Sequence, residues 1–282
     1  LLSPKDFSLI KKFGRKGEGP EEFKLFIRFH LDEEMIVISS SGKMSYYTKE
    51  GKFIREEMVE GNNVMKPVGK NHAGYRLSSD PGTRLNYVAI DLFDHHFMKI
   101  REIHRNPFKF QIEKNQIHPV KNQGNFRVWK DKLFVNGYKG RVLVFDSQGN
   151  LIRTITTKLK GVRVTEEDKK RYKNYYKIYP EYKQYYEAAS KWFRFPKHFP
   201  LIHEIFLSEN RIYAETHERK EGKRRFLVMD FNGTELGSVW LKVAEINPLE
   251  KHIYTFHKNK FYQLVDNEDE ECWELSIETL TY

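Results

Sequence analysis

Cysteine is almost absent. Cys272 is the only one in 282 residues, so no disulfide can form within the chain. That fits a reducing compartment and equally an exported bacterial protein that never used disulfides. Long apolar runs are missing too, and nothing approaches the roughly 18 consecutive apolar residues of a membrane-spanning helix. No signal peptide is visible. The chain opens on Leu1 and not Met, so a processed or trimmed product is expected, with any targeting segment outside it.

Local catalytic and metal motifs are also missing. No H-E-x-x-H or C-x-x-C pairing of metal ligands occurs, and no G-x-S-x-G nucleophile elbow. Cys272 sits in the acidic run NEDEE (267–271) followed by Cys272 and Trp273, where neighbouring carboxylates disfavour a thiolate nucleophile. The spacing of that run is not that of a calcium-binding EF-hand loop, and it reads as an acidic turn. FGRKGEGPEEF (13–23) is rich in glycine but lacks the G-K-[ST] ending of a phosphate loop and opens no helix.

Aromatic residues and positive charge are plentiful. Phe (21) and Tyr (16) dominate an aromatic content of 15%, and both suit the pleated, half-buried surface of a strand. Net charge is +10. Such a balance is compatible with nucleic acid, anionic glycans, an anionic membrane surface, or simple solubility.

The main organising feature is recurrence. Residues 35–54 read MIVISSSGKMSYYTKEGKFI: a strand-like run, a turn, an alternating strand, a second turn at Lys49-Glu50-Gly51, and another strand. Residues 133–152, LFVNGYKGRVLVFDSQGNLI, repeat the layout with the second turn at Ser147-Gln148-Gly149. Residues 211–236 repeat it again, with a longer first turn and the second at Phe231-Asn232-Gly233. Residues 75–100 form a degenerate copy with Asp94-His95 in the turn, and FYQLVDNEDEECWELSIETL (261–280) begins a fifth. Glycine at the end of such turns adopts positive φ cheaply, and Asp, Asn or Ser before it bonds back to the backbone. The turns recur at roughly 45-residue spacing, except where an extra segment separates the last two. A period of about 40 to 50 residues with four strands is the signature of a β-propeller blade. A β-sandwich does not repeat one turn at one offset. The expected fold is therefore all-β, a propeller of five to six four-stranded blades filling residues 1–282.

In that frame FGRKGEGPEEF is the connection from the outer strand of one blade to the inner strand of the next. The stretch resembles the blade-linker motif of bacterial six-bladed β-propellers related to the NHL-repeat propellers. FPKHFPLIHEIFLSENRIYAET (195–216) and FYQLVDNEDEECWELSI (261–277) are similar to the same family. The resemblance covers most of the chain. It implies a propeller, commonly an exported or lipid-anchored bacterial protein, and it transfers no catalytic residues.

Five blade units are visible, so blade number stays open. Strand 7–13 is expected to close the ring by pairing with the C-terminal blade, which removes an exposed sheet edge. Alternatively a blade upstream has been lost, a reading favoured by LLSPKDFSLIKKF beginning in the middle of a hairpin.

Residues 158–197 break the period. Thr165 is a candidate N-cap, with Glu166, Glu167 and Asp168 in the first turn. Tyr172, Tyr175, Tyr176 and Tyr179 lie at helical spacing, Pro180 interrupts, and Tyr182, Tyr185 and Tyr186 continue the stripe. Two short helices, 166–178 and 181–190, are expected to project between blades three and four. One reading makes them a sticky lid, its tyrosines interleaved with Lys169, Lys170, Arg171, Lys173, Lys177 and Lys183. The other packs the tyrosines on the propeller and leaves the lysines as the solvated face, and it carries more weight because an aromatic stripe at this spacing is first a packing face. Either way the insertion, with Tyr172, Tyr175, Tyr176, Tyr179, Tyr182, Lys173 and Lys177, is the expected partner site.

Inner strands line a propeller's channel, so Arg28, His30, Arg127, His203, Glu204, His252 and His257 are candidates to converge there. Histidines from several strands could hold a divalent metal for hydrolytic or lyase chemistry, although their spacing matches no local metal motif. The sequence thus supports a monomeric, non-catalytic propeller of the bacterial cell envelope that binds a protein or glycan and needs no cofactor. A metal-dependent hydrolase and an RNA-binding propeller are the rivals.

Overall fold

In the computed structural model the chain is described over residues 1–282 except 4, 7, 25–26, 32–34, 41, 60–64, 81, 84, 108–109, 112–115, 121–124, 179–182, 184–185, 188–189, 246–252 and 268–269, with 28, 110 and 111 described by backbone alone. The first two strands are a short parallel pair inside the glycine-rich linker, β1 (Arg15–Lys16) and β2 (Glu22–Phe23). Here the glycines have a purely architectural use. Gly14 has φ +76°, and a Cβ on it would lie 2.5 Å from the Phe23 ring.

Five antiparallel sheets follow. Blade I contains β3 (Arg28–Leu31), β4 (Met35–Ser40), β5 (Lys43–Thr48) and β6 (Phe53–Met58), paired in that order. Blade II contains β7 (Met65–Val68), β8 (Asn71–Ser79), β9 (Asn86–Phe93) and β10 (Lys99–Pro107). A two-residue pair, β11 (Phe110–Gln111) and β12 (Gln116–Ile117), lies in the connection to blade III. Blade III is β13 (Phe126–Trp129), β14 (Lys132–Asn136), β15 (Arg141–Asp146) and β16 (Leu151–Thr156). Helix α1 (Glu166–Ile178) follows. Blade IV is β17 (Glu204–Ser208), β18 (Arg211–Lys220), β19 (Lys223–Asp230) and β20 (Glu235–Leu241). Blade V has three strands, β21 (Ile253–His257), β22 (Lys260–Asn267) and β23 (Cys272–Thr279). First strands lie side by side, β7 against β13, β13 against β17 and β17 against β21. The fold is a five-bladed β-propeller.

Blade packing explains why the middle strands read as continuous apolar runs. A sheet covered on both faces has no solvent side to alternate with. Val37, Met44, Tyr46 and Met65 fill the seam between blades I and II, and Ile90, Leu92, Phe126 and Leu133 that between II and III. Phe134, Ile155, Ile205 and Leu227 join III to IV, and Phe206, Phe226, Phe256 and Phe261 join IV to V. Each such buried side chain contributes roughly 1.5–3 kcal/mol of transfer free energy.

The repeated turn joins the third and fourth strands of each four-stranded blade. In blade III Asp146 Oδ1 accepts from the amides of Gln148 and Asn150 at 2.9 and 2.8 Å. Asp230 does the same for Asn232 and Thr234, and Asp94 for His96 and Met98. The Met98 amide leads the bonds that hold the Asp94 carboxyl below its ordinary range. Gly233, at φ +92°, ends one copy where a Cβ would meet Ile155 at 2.8 Å.

Ring closure departs from the expectation for residues 7–13. Residue 7 lies outside the described residues, and 8–13 do not pair with blade V, whose β23 has β22 as its one strand neighbour among the described residues. Instead the N-terminal segment turns back on itself. Leu2 bridges Leu9, and Asp6 Oδ1 accepts from the Ser8 amide at 3.1 Å. This hairpin packs on blade I, where Leu1 and Phe13 cover Tyr47, Ile36 and Ile38, with the Phe13 and Tyr47 ring centroids 4.9 Å apart. The local turn chemistry won over edge pairing. Two apolar faces are left uncovered as a result: Phe29 (71% exposed) and Leu31 on blade I, and Trp273 (57% exposed), Leu275, Ile277 and Ile253 on blade V. In register, Ile253, Leu264 and Leu275 form one row and Tyr262 and Ile277 the next, all on the side of blade V turned from blade IV.

Candidate functional site: the insertion and the connection face

The first helix of the insertion forms as expected. Thr165 Oγ1 accepts from the Asp168 amide at 3.1 Å, and Asp168 Oδ2 accepts from the Thr165 amide at 2.8 Å, a reciprocal cap that fixes the start of α1. Of the expected second helix, 181–190, the described residues Lys183, Tyr186 and Glu187 are helical, the others up to 189 lie outside the described residues, and a 3-10 turn follows at Ser190–Trp192. The two ends of the insertion zip together. Phe199 donates its amide to Val162 O at 2.9 Å, and Val164 donates to Lys197 O at 3.0 Å.

Burial corrects the partner-site assignment of the tyrosines. Tyr175 and Tyr176 pack on Ile117 and Phe193, and Tyr172 packs on Val120, Val164 and Phe199. All three are buried and present no face to a partner. Tyr179 and Tyr182 lie outside the described residues. Lys173 and Lys177, by contrast, are exposed, and so is Lys170 one turn earlier. Positions 170, 173 and 177 share one helix face, so α1 presents a stripe of cations opposite its aromatic face. Lys191, Arg194 and Lys197 extend the exposed cations along the return segment. Residues 158–197 hold twelve Lys and Arg against five Asp and Glu, most of the chain's net charge of +10. That imbalance was readable in the sequence and was the signal for these three residues.

A partly buried charge cluster ties α1 to the ring. Glu245, in the connection leaving blade IV, accepts from Arg171 of α1 at 2.7 Å, from Arg219 at 2.8 Å, and from Arg224. Arg224 also pairs with the fully buried Glu215 at 3.2 Å, and Tyr254 OH donates to Glu215 at 2.7 Å. Burial pushes the Glu245 carboxyl up, and Arg224, Arg219 and Arg171 outweigh it and hold the group below the usual glutamate range. Nothing in local spacing announces this cluster, because its members come from separate elements.

The channel candidates are only partly brought together. Arg127 on β13 and Glu204 on β17 form an ion pair between the inner strands of blades III and IV, with the Arg127 guanidinium 5.3 Å from the Phe206 ring centroid. His203 lies edge-on to His217, their centroids 4.8 Å apart, and His217 stacks on Phe199 at 4.3 Å. His203 therefore braces the foot of the insertion. His30 is half-buried on β3, His257 is exposed at the end of β21, Arg28 is described by backbone alone, and His252 lies outside the described residues. Among the described residues the one grouping of three possible metal ligands is Glu270, Cys272 and Glu274, on the hairpin of blade V and not among the channel histidines.

No family model and no curated protein matches the sequence. Solved structures do. The computationally designed Ika8 protein is similar at 9% identity over 88% of this chain and 56% of that one, with a TM-score of 0.37. The Neurospora crassa Pan2 WD40 domain is similar at 10% identity over 89% and 60%, with a TM-score of 0.36. BamB from Moraxella catarrhalis is similar at 9% identity over 89% and 64%, with a TM-score of 0.33. The chain thus spans between 56% and 64% of the length of these three proteins. The propeller assignment rests on the sheet order and blade seams described above.

Proposed function

We propose that this protein is a non-catalytic propeller that holds an acidic partner, protein or glycan, against the basic face of its insertion. The observation that carries the reading is the division of α1 into two faces, with Tyr172, Tyr175 and Tyr176 packed inward and Lys170, Lys173 and Lys177 outward. A helix fixed by buried aromatics and an arginine clamp is a rigid platform, and rigid presentation lowers the entropy lost on binding. The neutralised Arg127–Glu204 pair leaves the inner strands of blades III and IV with less to offer an anion than the insertion has. The test is retention on immobilised polyglutamate and on immobilised polygalacturonate, for the wild type and for a variant carrying Lys170→Glu, Lys173→Glu and Lys177→Glu. Equal retention of the two proteins on both supports would refute the reading.

The same proposal gives the ring a sixth blade, built around the hairpin formed within residues 1–13. Support comes from that hairpin packing on blade I as a neighbouring blade does, and from the apolar faces at Phe29 and Trp273. The resemblance of the linker to bacterial six-bladed propellers favours the same number, and with it a place in the cell envelope or outside the cell. No described helix is long and apolar enough to cross a membrane.

A further inference from the structure

A cavity of about 340 Å³ opens beside the return segment of the insertion. That volume lies at the lower end of the range in which proteins hold small ligands. Asn106 reaches it from β10, Asn136 from the end of β14, and Tyr138 and Lys139 from the turn between β14 and β15. His118 and His198 complete its polar lining, and Phe199 and Leu201 form part of an apolar wall. No Asp or Glu lines it among the described residues.

Three observations point to a ligand that brings acceptors. Asn106 is 3% exposed, and its Nδ2 has no acceptor among the described residues. A buried donor left unsatisfied is destabilising, and an incoming oxygen would recover the loss. Lys139 has no acidic partner among the described residues, and it is held in the left-handed region at φ 57° and ψ 38° on the tip of its turn. Tyr138 is half-exposed, and burial of the rest pushes its phenol up to about 12, so it keeps its proton and donates at any physiological pH.

We propose that this cavity binds a carboxylate-bearing ligand of monosaccharide size, a hexuronate unit. The cation of Lys139, with no carboxylate among the described lining residues, selects an anion, and the Asn106 amide supplies a donor to one of its oxygens. Tyr138 and the apolar wall suit the C–H face of a pyranose ring, which a small carboxylic acid lacks. The inference rests on the acidic-partner reading and deepens it: the partner is an acidic glycan, one uronate unit of which enters the cavity.

The test is calorimetric titration of the 282-residue protein with glucuronate, glucose and acetate. Saturable glucuronate binding is expected at about millimolar Kd, with glucose and acetate each weaker by about tenfold or more. Lys139→Asn keeps a residue that tolerates the left-handed conformation while removing the charge, and it lowers glucuronate affinity by about tenfold. Asn106→Leu gives a similar loss, and the well-separated Lys139→Asn result stands if that buried variant fails to fold. No saturation by about 50 mM glucuronate, or an unchanged affinity in Lys139→Asn, overturns the proposal. Acetate binding as tightly as glucuronate overturns the sugar assignment. The triple Lys→Glu variant of α1 keeps glucuronate affinity while losing polygalacturonate. Loss of monosaccharide binding with polymer retention intact would remove the cavity site and leave the docking face standing, and the converse result would do the opposite.

Discussion

Arg171 of α1 donates to the Glu245 carboxylate at 2.7 Å, and this contact joins the insertion to the propeller. Arg219 and Arg224 converge on the same carboxylate, so one acidic group holds together three cations from the helix and blade IV. The placement of α1 and its cationic face therefore depends on a charge from the ring and not from the helix itself.

Removing that charge should be costly. Glu245→Gln leaves Arg224 buried with only Glu215 to balance it. Loss of one member of a buried pair costs about 3–5 kcal/mol, and the partial exposure of Arg171 and Arg219 reduces this to about 2–3 kcal/mol. Urea denaturation measures the difference, and a change below about 0.5 kcal/mol would contradict the clamp.

The same group sets a pH dependence. Its folded pKa is depressed below the ordinary glutamate value of 4.5. Its stabilisation is thus fully present above that value and is lost as pH falls through the lower, folded pKa. Wild-type stability should drop on acidification below about pH 4.5, and more steeply than that of Glu245→Gln. Parallel curves for the two proteins, from urea denaturation across pH 3 to 6, would assign the acid sensitivity elsewhere.

The two faces of α1 should respond oppositely to truncation. Tyr176→Ala opens a cavity among Tyr175, Ile117 and Phe193 and is expected to cost about 3 kcal/mol. Lys173→Ala on the solvent face should stay within about 0.5 kcal/mol of wild type. Thermal unfolding of both variants checks the pair.

The helix and its division into faces were legible, because Tyr172, Tyr175 and Tyr176 at helical spacing are enough to mark a buried stripe. The blades were legible from Asp146 and Gly149 and their equivalents, since a turn is specified by residues a few positions apart. Strand partnership across the ring is not local, and 8–13 folded onto its own hairpin and blade I instead of reaching β23. Glu245 with its three arginines, and Asn106 with Lys139, escaped for the same reason. Their members lie tens of residues apart and meet only when blades are assembled.

The uncovered faces give a test of the proposed sixth blade. Phe29→Ser and Trp273→Ser should each change the stability of the 282-residue chain by less than about 0.5 kcal/mol, because neither side chain is packed. A loss of about 2 kcal/mol or more from either, in urea denaturation, would mean that the ring closes at five blades.

The most direct measurement is the salt dependence of binding to polygalacturonate for the wild type and the Lys170→Glu, Lys173→Glu, Lys177→Glu variant. Exposed charges are screened beyond about 8 Å at physiological ionic strength, so wild-type affinity should fall steeply between about 50 and 300 mM salt. The variant should show at least a tenfold weaker affinity at low salt and a flatter slope. Matching curves for the two proteins would contradict the account at its centre.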